Sequence, residues 1–192
     1  MDKLPHIEII SGSVRSGRNS HRVALFFKGF IESRGYATAQ ILDLKEYNFP
    51  IFDERLRFQQ APTQQMLEYS SRINEADAVI LITPEYNGGY PASVKNAIDF
   101  LYPEWQKKPM AISTVSTGNF GGAQVITSLQ FTLWKMHALV TPAMFPVPNV
   151  KDAFDEEGNA SDQEGTNKRA DGFIKELLWL EKACRLMKQQ DS

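Results

Sequence analysis

Two hydrophobic periodicities alternate along this chain. His6 to Ser11 is a short apolar run with β-branched Ile7, Ile9 and Ile10. Gly12 interrupts it, and Val23, Phe26, Phe27, Phe30 and Ile31 then recur at helical spacing. Thr38 to Leu44 predicts a second strand. Thr63 caps a helix striped by Met66, Tyr69, Ile73 and Ala76. Asp77 to Thr83 is apolar without alternation, the pattern of a strand buried on both faces at the centre of a parallel sheet. Pro84 ends it, and Val94, Ala97, Ile98 and Leu101 mark the next helix. Met110 to Ser116 predicts a fourth strand, Ile126, Leu129, Leu133 and Met136 its helix, and Ala138 to Phe145 a fifth strand. Residues 146 to 165 are polar and rich in Gly, Asp and Glu, the composition of a mobile surface loop, before a last helix from about Glu164 to Gln189.

This alternation argues for an α/β fold: a doubly wound, five-stranded parallel sheet between helices, three layers in one domain spanning 1–192. Ligands of such sheets bind beyond the carboxyl ends of the strands, where the winding direction switches. The loops expected there are GSVRSGRNS, PEYNGGYP and STGNFGG, all small, polar and glycine-rich. The first contains Ser13, Arg15, Ser16, Arg18, Asn19 and Ser20 and no acidic residue. The first N–H groups of a helix lack intrahelical partners and attract an anion, and hydroxyls and guanidinium groups add donors, so this loop suits a phosphate. The plainer alternative is a turn at Gly12 with Asn19 or Ser20 capping the helix, for which two arginines are superfluous. Gly12 to Gly17 is followed by Arg18 and Asn19, so the lysine and hydroxyl of a P-loop are missing. The G-x-G-x-x-G dinucleotide fingerprint fails at Val14. A terminal monophosphate remains, and two flat, backbone-rich loops beside it suggest a mononucleotide with a planar ring. In the middle loop, Asn87-Gly88-Gly89 permits close backbone approach, and Tyr86 and Tyr90 offer stacking faces.

Composition narrows the partners. Lys and Arg total 21 against 23 Asp and Glu, a net charge of −2, so no basic field points to nucleic acid or an anionic membrane, and a small-molecule partner is expected. The single Cys184 excludes an intrachain disulfide. It shares a helix face with Phe173, Leu177, Leu180 and Met187, so a buried thiol is expected. His6, His21 and His137 lack ligand spacing, so no metal site is expected, although His21 lies near the phosphate loop. There is no apolar run of about eighteen residues and no signal peptide, so a cytoplasmic location is the expectation. The connection over 45–62 is long enough to cover a site or meet another subunit.

Taken together, Gly12-Ser13-Val14-Arg15 with Asn19 and Ser20, Thr83-Pro84-Glu85-Tyr86-Asn87-Gly88 with Pro91, Lys95-Asn96 and Asp99, and Gly118 with Gly121-Gly122 resemble the NAD(P)H-dependent FMN reductase family. This is the flavodoxin-like group of quinone, azo-dye and chromate reductases. The resemblance implies non-covalent FMN. Ser13, Arg15, Asn19 and Ser20, with Arg18 a further candidate, would hold its phosphate; Pro84, Glu85, Tyr86, Asn87 and Gly88 would line the ring edge; Ser116, Thr117 and Gly118 would close the other side. It further implies NADPH or NADH as cosubstrate, a small-molecule electron acceptor, ping-pong kinetics, and a homodimer or homotetramer. Tyr47, Phe49, Phe52 and Phe58 are candidates for the subunit contact. No general acid or base is expected, and Glu85 is read as structural. The alternatives are a flavodoxin-type electron carrier, against which Arg15 and the modest charge speak, and an FMN-binding regulatory protein with little turnover.

Overall fold

The structure is a computed structural model and describes residues 3–190. In chain order the elements are β1 (His6–Ser11), α1 (Ser20–Ser33), β2 (Thr38–Asp43), α2 (Leu44–Tyr47), α3 (Gln64–Glu75), β3 (Ala78–Pro84), α4 (Ala92–Phe100), β4 (Pro109–Val115), α5 (Ala123–Lys135), β5 (Leu139–Val147), α6 (Val150–Ala153) and α7 (Gln163–Gln190). The five strands pair in parallel in the order β2-β1-β3-β4-β5, the flavodoxin-like order. The chain winds outward from β1 to β2, then crosses to β3. The crevice therefore opens between the carboxyl ends of β1 and β3.

Alternate residues of the buried strands feed two cores. Ile7, Ile9, Ile80 and Ile82 meet Phe27, Ile31, Ile174 and Leu177 of α1 and α7 on one face. Ile10, Val79 and Leu81 meet Tyr69, Ile73, Val94, Ile98 and Leu133 of α3, α4 and α5 on the other. Burying each such side chain contributes about 1.5–3 kcal/mol. Phe27, Phe145 and Phe173 interlock with centroids 4.9–5.6 Å apart. Beneath α3 the buried Glu8 carboxylate accepts from Arg72 Nε and Nη2 at 3.0 and 2.7 Å, an ion pair with no sequence signal.

Several expectations need correction. Residues 146–165 are not a featureless loop: β5 runs to Val147, α6 follows, Phe154 pairs with Ala160, and Gly158 packs so tightly on α1 that a Cβ would lie 2.7 Å from Phe26 N. Phe154 is buried against Phe26, which is why this polar stretch is ordered. Tyr47, Phe49 and Phe52 turn inward onto Tyr69 and Phe100 rather than outward, and Asn96 pins the connection by accepting from Phe52 N and donating to Pro50 O, both at 2.6 Å. Of the named aromatics there, only Phe58 is exposed. On the α7 face Phe173 and Leu177 are buried, and so is Glu181 one turn on, but Met187 is exposed and Cys184 half-buried.

Candidate functional site

At the carboxyl end of β1, Gly12 is needed for close approach: a Cβ there would lie 2.6 Å from Val94 Cγ2 and 2.9 Å from Ile82 O. Its N–H donates to Ile82 O and its carbonyl accepts from Ser93 Oγ, fixing where the loop departs. The loop then rises over a cavity of about 390 Å³ whose lining includes Ser13, Arg15, Arg18, Asn19, Ser20, Pro84, Glu85, Tyr86, Ser116, Thr117 and Lys151. Its volume is within the range of small-molecule sites.

The cavity floor is the amino end of α1. Asn19 occupies the cap position, but its side chain makes no capping bond. Ser20, the first helical residue, is 2 % exposed, and its Oγ is the one buried side-chain oxygen or nitrogen without a partner among the described residues. A buried hydroxyl left unpaired costs about 1–3 kcal/mol. Ser20 lines the cavity, and an unpaired hydroxyl beside free helix N–H groups fits a small oxyanion.

The flanking side chains divide into bound and free. Arg18 lines the cavity but is engaged: it grips both oxygens of Asp43 at the end of β2 and donates to Ser13 O at 3.0 Å. Arg15 lies over the Tyr86 ring, 5.4 Å from its centroid, and makes no ion pair among the described residues. Ser13 Oγ and Tyr86 Oη are 2.8 Å apart, joining the first loop to the second. His21 Nδ1 lies 3.1 Å from Ser11 Oγ and 3.6 Å from Asp43 Oδ2. These are the residue types of an acyl-transfer triad, yet hydroxyl and carboxylate face the same nitrogen, so the imidazole cannot relay a proton between them. Burial, then the Arg18 charge, holds the His21 pKa below its ordinary value.

In the middle loop Tyr86 and Gly89 exchange N–H···O=C bonds of 2.8 and 3.1 Å, while Asn87 and Gly88 both have positive φ (52° and 79°). This is the mirror-image two-residue turn that Asn-Gly favours. It leaves the N–H groups of Asn87 and Gly88 out of the exchange, at a tip beyond the cavity lining. Tyr90 lies outside the lining of this cavity, its hydroxyl 2.8 Å from Thr132 Oγ1. The Glu85 carboxylate accepts from Gln124 N at 3.1 Å, capping α5 and tying the second loop to the third. In that third loop Ser116 Oγ donates to Gly118 O at 2.8 Å; Gly118 itself lies outside the lining. Lys95 pairs with Asp99 one turn along α4. Lys151, which sequence reasoning missed, sits on α6 in the stretch read as a loop.

A second groove, of about 430 Å³, lies along α1 against Glu157, Gly158 and Asn159. It is remote from the strand ends and holds no orphaned buried atom. Among the described residues no group of His, Cys, Asp and Glu could hold a metal ion, and no helix is long and apolar enough to cross a membrane.

Comparison with known proteins sets this geometry in context. The chain is 35 % identical over 161 residues to an NAD(P)H-dependent FMN reductase of a Nectria species, covering 79 % of this chain and 80 % of that protein. It is 31 % identical over 128 residues to a quinone reductase of Pseudomonas putida, covering 64 % and 66 %. Its fold matches a flavoenzyme NAD(P)H:(acceptor) oxidoreductase from Paracoccus denitrificans with a TM-score of 0.76 and 28 % identity, covering 93 % of this chain and 98 % of that one. Residues 5–152, which carry all three rim loops, match the NADPH-dependent FMN reductase family, and the chain belongs to that family.

Proposed function

We propose that this chain is an FMN-dependent NAD(P)H oxidoreductase that passes two electrons from a nicotinamide to small acceptors by a ping-pong route. Quinones, azo compounds, free flavin and metal oxyanions are the acceptor classes. The observation that carries the reading is the orphaned Ser20 hydroxyl, buried at the amino end of α1 inside the rim cavity. FMN supplies the hydride chemistry when bound, and the protein's task is to hold and orient it.

In this reading Ser20 Oγ, Ser13 Oγ, the α1 N–H groups and Arg15 take the phosphate, with Asn19 beside them. Arg18 instead holds the loop in shape through Asp43. Pro84, Glu85 and Tyr86 on one side and Ser116 and Thr117 on the other confine the ring. The N–H groups of Asn87 and Gly88, left out of their turn's exchange, lie beyond the cavity lining and would serve as fixed dipoles only for a ring edge that projects past it. The Glu85 carboxylate is engaged by α5, so it serves structure rather than proton transfer. An assembly of two or four copies in the cytoplasm belongs to the same proposal; Ile51 and Phe58 are the exposed large apolar residues of the long connection.

Anaerobic mixing with NADPH tests the reading. The expected result is a yellow protein that bleaches rapidly and recovers its colour on adding a quinone. Bleaching slower than that of free flavin would instead indicate a carrier or regulatory protein.

A further inference from the structure

Four basic side chains border the phosphate loop and the groove beside it: Arg15, Arg18, Arg22 and Lys151. Two are already spent. Arg18 is held by Asp43, and Arg22 donates to Phe154 O at 2.8 Å and reaches Glu156 Oε1 at 3.5 Å. Arg15 and Lys151 make no ion pair among the described residues.

Lys151 does not hang from a loose segment. Asn149, with φ 46°, donates its N–H to Gly118 O, and Val150 donates to Ser116 O, both at 3.1 Å. The Val150 side chain is buried in the α1–α7 core. The lysine's backbone is thus anchored to the third rim loop, and Lys151, an exposed residue, lines both the main cavity and the groove that also touches Gly17 and Asn19.

A phosphate monoester carries a charge of about −1.5 to −2 at neutral pH. One guanidinium leaves close to one charge unmatched in a partly enclosed site, where desolvation makes that mismatch costly. We propose that Lys151 is the second cation of the phosphate subsite and closes it from the α6 side. This rests on the proposed FMN reading. It assigns a binding role to a residue far in sequence from the phosphate loop.

The test compares FMN with riboflavin, which lacks the phosphate, by fluorescence titration of apoprotein. Lys151→Met is expected to weaken FMN binding roughly three- to tenfold and to leave riboflavin within about twofold, and Lys151→Arg to restore FMN binding. Unchanged FMN affinity in Lys151→Met, or equal weakening of both ligands, overturns the inference. So does a change confined to the NADPH-to-NADH preference, which would give the ammonium to a different phosphate. If the wild type itself fails to prefer FMN over riboflavin, it is the proposed function that falls. If it does prefer FMN and Lys151→Met changes nothing, only the role of Lys151 falls.

Discussion

Ser20 separates the cost of a residue to the empty fold from its value to a ligand. Its hydroxyl is buried without a partner, which burdens the ligand-free protein by about 1–3 kcal/mol. Ser20→Ala is therefore expected to leave ligand-free stability unchanged or raise it, while weakening FMN binding by about 1–1.5 kcal/mol. Urea unfolding with and without FMN reads both signs at once; a serine that merely packs would lose stability in both series. The sequence offered Ser20 only as one of several candidates, beside Arg18 and Asn19 for a phosphate and beside Asn19 for a helix cap. It could not show that Arg18 is occupied, because Asp43 lies twenty-five residues away on another strand and only the Ser11–Asp43 register brings them together. Lys151 was hidden for a related reason: its polar neighbours read as a loop, and the order of that stretch comes from Phe154 and Gly158 packing on α1.

At the scale of elements, the phosphate loop is held at both ends. Gly12 fixes its departure, and the Arg18–Asp43 pair, with Arg18 also on Ser13 O, fixes its return. Asp43 is 4 % exposed, so removing Arg18 strands a buried charge. Arg18→Gln and Asp43→Asn are each expected to destabilise by about 3 kcal/mol, and the double variant by little more than the worse single one. Additive losses in a double-mutant cycle would show that the pair is not a unit. The five strands and the long helices were legible, since apolar stripes such as Met66, Tyr69 and Ile73 point at a core that exists, whereas α2 and α6 fell in stretches read as loops and the α7 stripe is buried only in part. The inward turn of Tyr47, Phe49 and Phe52 was not, because aromatic residues in a long connection serve a core or an interface equally well.

For the whole molecule, the two cores leave one ionisable group in an awkward place. Lys108 is 7 % exposed and donates to Asn74 O at 3.3 Å and to Ala76 O at the end of α3. Burial, with Lys188 adding repulsion, lowers its pKa from 10.5 to about 8. Between those values the unfolded chain holds the proton and the folded one has released it, so this group makes stability rise with pH across that window. Relative to Lys108→Met, the wild type is expected to gain about 2 kcal/mol between pH 7 and pH 10. Parallel curves for the two proteins would place the ammonium in a site that tolerates its charge.

What occupies the rim cavity decides the function, and a crystal structure of the protein grown with FMN addresses that directly. The expected result is a phosphate within hydrogen-bond distance of Ser20 Oγ, with the ring between Tyr86 and Thr117. FMN seated in the groove along Gly158, or with its phosphate away from the amino end of α1, would contradict it.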